Sequence, residues 1–500
     1  MINKITVTVN GKRELAVAGL TISEIIKGEK PCGGHGKCGK CKVIARGELS
    51  EPTAVELDLL SKNERDAGVR LACLTVVLGD CEIETLDKKE KSQIVTGAEL
   101  PEFELKPTFE KYGVAIDIGT TTLAARLYDT NGNMLAEASR INPQQEWGAD
   151  VISRIEAALD GKDAELACSI RGALASIISE LANTAKIQTV DVDGVVITGN
   201  TVMLSLLTRE SVEPFSHSPF DAKRLFGETV RATELELSCL NENTPVYLPP
   251  CVSAFVGADT TCAMIATELC SDKTAMLADI GTNGEMAIWH DGRLTVCSTA
   301  AGPAFEGVGI SQGMRGATGA IDKVSIVNGA LYAHVLGGVE PVGICGSGLV
   351  DAVACMLDLE LIDGSGYVED DELCVSGSVT LTQKDIRMLQ LAKSAICAGL
   401  GTLVDNEKLA QRDVDVLYVA GGFGNYLNKN SAARIGLLPE TLANRSKTVG
   451  NAALGGACMI LLSSHVRDGA DALAKSAITL ELSTSPVFSD KYMMGMMFEE

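Results

Sequence analysis

The sequence predicts an α/β protein built from a small α+β unit followed by a large α/β unit that carries an internal duplication. Three observations point there. Residues 32–41 read CGGHGKCGKC, three thiols in one short glycine-rich loop, and a fourth thiol stands at Cys73. An apolar strand ending in Asp-Ile-Gly-Thr occurs twice, at 117–120 and at 279–282. Glycine makes up 50 of 500 residues while aromatics are only 4%, a balance that suits tight glycine turns rather than an aromatic-packed sandwich.

At about 150 residues per domain, 500 residues divide into roughly three folding units. Hydrophobic residues are 46% and charged residues 22%, which excludes a disordered chain. No stretch approaches the ~20 apolar residues of a membrane span, and the start, MINKITVTVN, has no apolar signal region, so a cytoplasmic location is expected. The net charge of −23 (43 basic against 66 acidic residues) repels phosphate backbones and anionic lipid, which argues against nucleic acid or a membrane as the main partner. Sixteen cysteines in such a chain favour metal binding over disulfides. Cys168, Cys239, Cys262, Cys270, Cys355, Cys397 and Cys458 lie among Ala, Leu and Ile and read as small buried hydrophobes.

The front unit spans residues 1–87. Its pattern, Cys32-x5-Cys38-x2-Cys41-x31-Cys73, is the layout of a [2Fe–2S] site, with three thiolates from one loop and one from a distant segment. Gly33, Gly34, Gly36 and Gly39 permit the backbone turns such a loop needs. The alternative is structural zinc, which usually takes two separated Cys-x2-Cys pairs, whereas here the second half offers Cys73 alone. His35 reads as a loop residue. Around the loop, KITVTVN alternates, GKR turns, ELAVAG pairs back, and Thr21 with Glu24 forms a capping box opening a short helix. CKVIARGEL and LACLTVVLGDCEIETL continue the sheet. This arrangement resembles the β-grasp fold of plant- and vertebrate-type ferredoxins, and the five-residue first gap is nearer the vertebrate branch. Residues 88–111 are charged, contain Pro101 and Pro107, and read as an extended tether that lets the front unit move.

The back unit spans residues 112–500. A Gly-Thr turn offers backbone N–H groups and hydroxyls to phosphate oxygens, and an Asp at the preceding strand end can hold Mg²⁺ and orient a nucleophile. The two copies in matching strand contexts imply two related halves with a cleft between them. A third apolar strand ends in Ala420-Gly421-Gly422-Phe423-Gly424, where glycines let backbone approach an adenine or ribose. VVITGNTVM (195–203) and GNAALGGA (450–457) carry small residues suited to a hinge, and Gly199 and Asn200 are counted with the nucleotide residues. Gly346 and Ser347 open an apolar helix and either face nucleotide or simply start the helix. Glu306 and Arg315 sit in a glycine-rich loop as contact candidates, with solvated loop charges the favoured reading. Met493, Met494, Met496 and Met497 read as a tail folding back on the core rather than as a partner surface.

Asp-x-Gly-Thr twice, then Ala-Gly-Gly-Phe-Gly, resembles the actin/sugar kinase/Hsp70 ATPase superfamily over about residues 112–460. The resemblance implies two RNase-H-like subdomains closing on ATP and Mg²⁺. Asp117 and Asp279 then manage the metal and the hydrolytic water. Gly119, Thr120, Thr121 and Thr122, with Gly281, Thr282, Asn283 and Gly284, hold phosphates, and Gly421, Gly422, Phe423 and Gly424 lie against the adenosine.

An electron carrier joined to a nucleotide clamp makes sense when the acceptor is harder to reduce than the donor. Plant-type clusters sit near about −400 mV, and for one electron each ~59 mV of deficit is a tenfold unfavourable ratio. The order CGGHGKCGKC, RLAC, IDIGTTT, INPQ…GADVISRI, VITGN, ADIGTNGE, AGPAFEG, ICGSGLVD and AGGFG is similar to the reductive activators of corrinoid enzymes across nearly the whole chain. That resemblance implies ATP-dependent return of a Co(II) corrinoid, on a partner protein of a methyltransferase system, to Co(I). Electrons pass from an upstream low-potential donor through Cys32, Cys38, Cys41 and Cys73 and their cluster; a homodimer is compatible. The short tether leaves little room for the extra middle domain of some members, and the scattered late cysteines do not support C-terminal [4Fe–4S] clusters. The alternatives are an activator of a radical dehydratase or reductase, a small-metabolite kinase with a ferredoxin redox sensor, and an electron-transfer module on an inert scaffold.

Overall fold

The computed structural model describes residues 4–26, 34, 36, 39, 41–85, 100–369, 372–422 and 427–498. In the front unit β1 (Lys4–Val9) and β2 (Lys12–Val17) pair antiparallel through Asn10-Gly11, both at positive φ (49° and 80°), the turn whose twist matches a hairpin. With β3 (Lys42–Leu49), β4 (Val69–Leu71) and β5 (Val77–Thr85) they form a sheet of order β2-β1-β5-β3-β4, with β1 parallel to β5. This is the β-grasp arrangement. Period-two alternation puts Ile5, Val7, Val43, Val77, Cys81 and Ile83 into one core. The helix Ile22–Ile26 covers that core, and its start is the expected box: Thr21 N donates to Glu24 Oε2 at 2.7 Å and Glu24 N to Thr21 Oγ1 at 3.4 Å.

Residues 100–111 contain no helix or strand and bend at 108–111, and they are no free tether. Lys106 N donates to Leu462 O at 2.9 Å, Thr108 N to Leu461 O at 3.0 Å, and Phe109 is buried over Gly113 and Gly194. Residues 86–99 lie outside the described residues.

The back unit holds two six-stranded sheets of one design. In the first, β6 (Tyr112–Ile118), β7 (Thr122–Asp129) and β8 (Met134–Ile141) form an antiparallel meander. β9 (Val192–Gly199) lies parallel to β6, followed outward by β11 (Pro245–Leu248) and β10 (Glu228–Arg231). In the second, β12 (Thr274–Ile280), β13 (Gly284–His290) and β14 (Arg293–Thr299) repeat the meander. A small sheet, β15 (Ala320–Val327), β16 (Ala330–Val335) and β17 (Gly343–Ile344), and a hairpin, β18 (Glu372–Ser376) and β19 (Val379–Thr382), are inserted next. β20 (Val416–Ala420) then lies parallel to β12 and β21 (Ser446–Gly450) parallel to β20, while β22 (Ala477–Thr479) closes the far edge. A meander whose first strand is followed outward by two strands running parallel to it occurs in both sheets: the duplicated RNase-H-like fold.

The helices Ala258–Ala266 and Ala452–Leu462 pack against each other between the halves, and Gly456 comes so close to the Cys262 carbonyl that a Cβ there would lie 1.9 Å from its oxygen. The chain end folds back, as read, but not through its methionines. Phe498 is buried and Lys393 donates to the Met497 carbonyl, whereas Met493, Met494 and Met497 are exposed. Among the scattered cysteines Cys262 and Cys458 are buried, as expected, Cys239, Cys270, Cys355 and Cys397 are half-buried, and Cys168 is exposed because it falls on the outer face of the helix Asp163–Ala185. No described helix is long and apolar enough to cross a membrane.

Candidate functional site

The duplicated topology brings the two Asp-Ile-Gly-Thr turns face to face. Asp117 and Asp279 are each the last residue but one of their strands, β6 and β12, so each loop leaves the same end of the same strand in its half. Between them lies a cleft of about 280 Å³. Asp117, Gly119, Thr120, Thr121, Thr122 and Asn200 line it from the first half; Asp279, Gly281, Thr282, Asn283, Gly346, Ser347, Gly421 and Gly422 line it from the second. Two expected residues do not. A Cβ on Gly199 would lie 2.8 Å from Ile118 O, so this glycine serves strand packing, and one on Gly284 would lie 2.2 Å from Ile396 Cδ1, under the helix Gln383–Asn406. Phe423 and Gly424 are outside the described residues. Gly421 sits at φ +95°, and a Cβ there would lie 2.6 Å from Ile280 O and 2.9 Å from Asp279 Oδ1, so only glycine fits.

Four carboxylates crowd the cleft. Burial pushes Asp117 up to about 7, opposed by the hydrogen bond from Asn451 and reinforced by the charges of Asp259 and Asp279. Burial and then Asp259 push Asp279 up to about 7. Burial carries Asp259 to about 6 against hydrogen bonds from Thr260, and raises Glu285 well above the ordinary range, with Asp259 and Asp279 adding to it. Such a group is expensive to ionise without a cation among it. All four are oxygen donors, but among the described residues no three His, Cys, Asp or Glu side chains converge closely enough to hold a metal ion.

The residues that hold the loops were not legible as such. Asn142 Nδ2 donates to Gly119 O at 2.9 Å, and Gln145 Nε2 to Thr121 O at 3.2 Å. Arg154 is fully buried, donates to Gly148 O at 3.0 Å and to the Thr120 carbonyl, and burial pushes its guanidinium down to about 10. The segment INPQQEWGADVISRI thus clamps the first loop from behind. Arg315 Nη2 donates to Gln145 Oε1 at 3.2 Å. Asn451 Nδ2 donates to Asp117 Oδ2 at 2.9 Å while its Oδ1 caps the helix Ala452–Leu462 through Leu454 N at 2.8 Å. Glu306, read as a solvated loop charge, instead accepts from the Thr121 hydroxyl of one loop and, at 2.7 Å, from the Thr282 hydroxyl of the other. The available signal was a cluster of polar types between glycines; its partners were invisible.

At the front, Cys41 begins beside β3 and Cys73 follows β4, and their sulfurs lie 3.2 Å apart. Gly34, Gly36 and Gly39 all take positive φ, the backbone a loop wrapping a cluster requires. Cys32, Cys38, Gly33 and His35 lie outside the described residues. Two convergent thiols beside such a loop fit an iron–sulfur group.

A family model described as the RACo middle region matches residues 112–272, and one described as the C-terminal domain of RACo, the ASKHA domain, matches 273–500. The expectation that the short tether leaves little room for an extra middle domain is therefore corrected: the matched middle region is the half built on β6–β11. The chain is 35% identical over 438 residues to the corrinoid activation enzyme RamQ of Eubacterium limosum, covering 81% of this chain and 74% of that one. It is 26% identical over 416 residues to the [Co(II) methylated amine-specific corrinoid protein] reductase of Methanosarcina barkeri, covering 76% of each. The solved structure of a reductive activator for corrinoid, iron–sulfur protein superposes with a TM-score of 0.71 at 28% identity, over 99% of this chain and 98% of that one.

Proposed function

Because this chain belongs to the RACo family, we propose that it is an ATP-dependent reductive activator that returns a Co(II) corrinoid on a partner protein of a methyltransferase system to Co(I). The observation that carries the reading is the pair of Asp-Ile-Gly-Thr loops facing each other across one acidic cleft, in a chain whose relatives activate corrinoid proteins.

The hydroxyls of Thr120, Thr121, Thr122 and Thr282, with the turn amides beside them, hold the phosphates. Asp117 and Asp279, backed by Asp259, hold Mg²⁺ and orient the attacking water. Gly421 and Gly422 bring bare backbone to the adenosine, and Gly346 and Ser347 meet the nucleotide at a helix start. Cys32, Cys38, Cys41 and Cys73 hold a [2Fe–2S] cluster, which when bound supplies single electrons near about −400 mV. The protein's own contribution is to close two halves on the nucleotide and so couple hydrolysis to an otherwise unfavourable delivery. An upstream low-potential donor supplies the electrons, and the setting is cytoplasmic.

The test is visible absorption of candidate Co(II) corrinoid proteins mixed with the anaerobically purified protein under a low-potential reductant. Co(I) should accumulate only when ATP is present. Cys38→Ser should abolish this while nucleotide affinity stays within about twofold; a variant that still reactivates its partner places the electron path elsewhere.

A further inference from the structure

We propose that Glu306 competes with phosphoryl groups for the two threonine loops, and so sets how tightly the cleft takes any phosphate-bearing ligand. Its two carboxylate oxygens accept from Thr121 Oγ1 and Thr282 Oγ1, one hydroxyl from each Asp-Ile-Gly-Thr loop. A threonine hydroxyl has one proton to donate. While it donates to Glu306 it cannot donate to a phosphate oxygen. A carboxylate and a phosphoryl group are both acceptor-only anions, and Glu306 lines the same cleft as the loops it bridges. A carboxylate and a phosphoryl anion a few ångströms apart also repel strongly where water is scarce.

The placement also says which contact yields. Glu306 ends the short turn Pro303–Glu306, and the N–H of Gly302, which caps that turn, donates to Thr282 O at 2.9 Å. The turn is tied to the second loop by its backbone. The contact to Thr121 is made by the side chain alone and crosses from one half to the other. A phosphate entering between the loops therefore displaces the Glu306 carboxylate from Thr121 first. The inference rests on the cleft being a nucleotide site.

The experiment is calorimetric titration of the full-length protein, wild type, E306Q and E306A, with Mg·ADP, a non-hydrolysable Mg·ATP analogue and adenosine. Both variants should bind the two nucleotides about tenfold more tightly, given the size of a like-charge contact. Adenosine, which has no phosphate, should bind all three proteins alike. Unchanged or weakened nucleotide binding in both variants would overturn the competition, and so would an equal gain for adenosine, which reports a loosened cleft. Failure of wild type and variants alike to bind either nucleotide would sink the nucleotide reading itself, and this inference with it.

Discussion

Glu56 is a carboxylate with no exposed surface, in a unit with a small core. Burial alone would raise its pKa. Instead Arg70 donates at 3.0 and 3.2 Å, Thr53 N at 2.9 Å, Leu71 N at 3.1 Å and Thr75 Oγ1 at 3.0 Å, and the carboxyl is held down at about 2. Leu71 and Thr75 flank Cys73, so one buried charge fixes the turn that carries a candidate ligand. Because the folded pKa lies below the ordinary value, the stabilisation is complete above about pH 4.5 and is lost as pH falls toward 2. Glu56→Gln should cost about 2 kcal/mol at pH 7. Hydrogen exchange over residues 69–85 should be faster than in wild type at pH 7, and the difference should shrink below pH 4.5; a constant difference would refute the charge as its cause. At this scale legibility divides by reach. Thr121 and Thr282 were readable because a Gly-Thr turn is local chemistry. Asp259, Glu306, Asn451 and Arg154 were not, because each meets the loops from a separate segment and looks by type like an ordinary polar residue.

The helix pair Ala258–Ala266 and Ala452–Leu462 is the element on which the halves meet. Every residue of the second helix is buried, and its N-cap Asn451 bonds Asp117. GNAALGGA was legible as a place needing small residues; the reason is the Cys262 carbonyl against Gly456. A methyl there meets backbone, which cannot swing away, so the helices must separate. Gly456→Ala should destabilise the protein by about 2 kcal/mol or more and weaken nucleotide binding through the shifted Asn451. Gly172 is the control: it lies exposed on the helix Asp163–Ala185 with nothing within 4 Å of an added Cβ, so Gly172→Ala should stabilise by about 0.5–1 kcal/mol. Thermal unfolding checks both, and equal shifts would refute the packing account.

In the whole molecule an electron-carrying unit and a nucleotide-closing unit share one chain, and the proposed function requires that each feel the other's substrate. ATPase activity should therefore rise severalfold when the Co(II) corrinoid partner is titrated in, and a flat response would break the coupling. How freely the front unit reaches that partner is constrained by residues 100–111, which read as an open tether from composition yet are hydrogen-bonded through Lys106 and Thr108 to the C-terminal end of the helix Ala452–Leu462. Charge and proline content describe solvation, not the docking surface waiting elsewhere in the chain. By itself the sequence determined the strand patterns, the cysteine layout and the paired Asp-Ile-Gly-Thr turns, since period-two burial and turn chemistry act over a few neighbouring residues. Only the tertiary structure decided that the two turns face one another, that four carboxylates line one cleft, and that Glu306 spans the gap. Those facts depend on distances between residues far apart in the chain, and packing two sheets around one helix pair is what sets them.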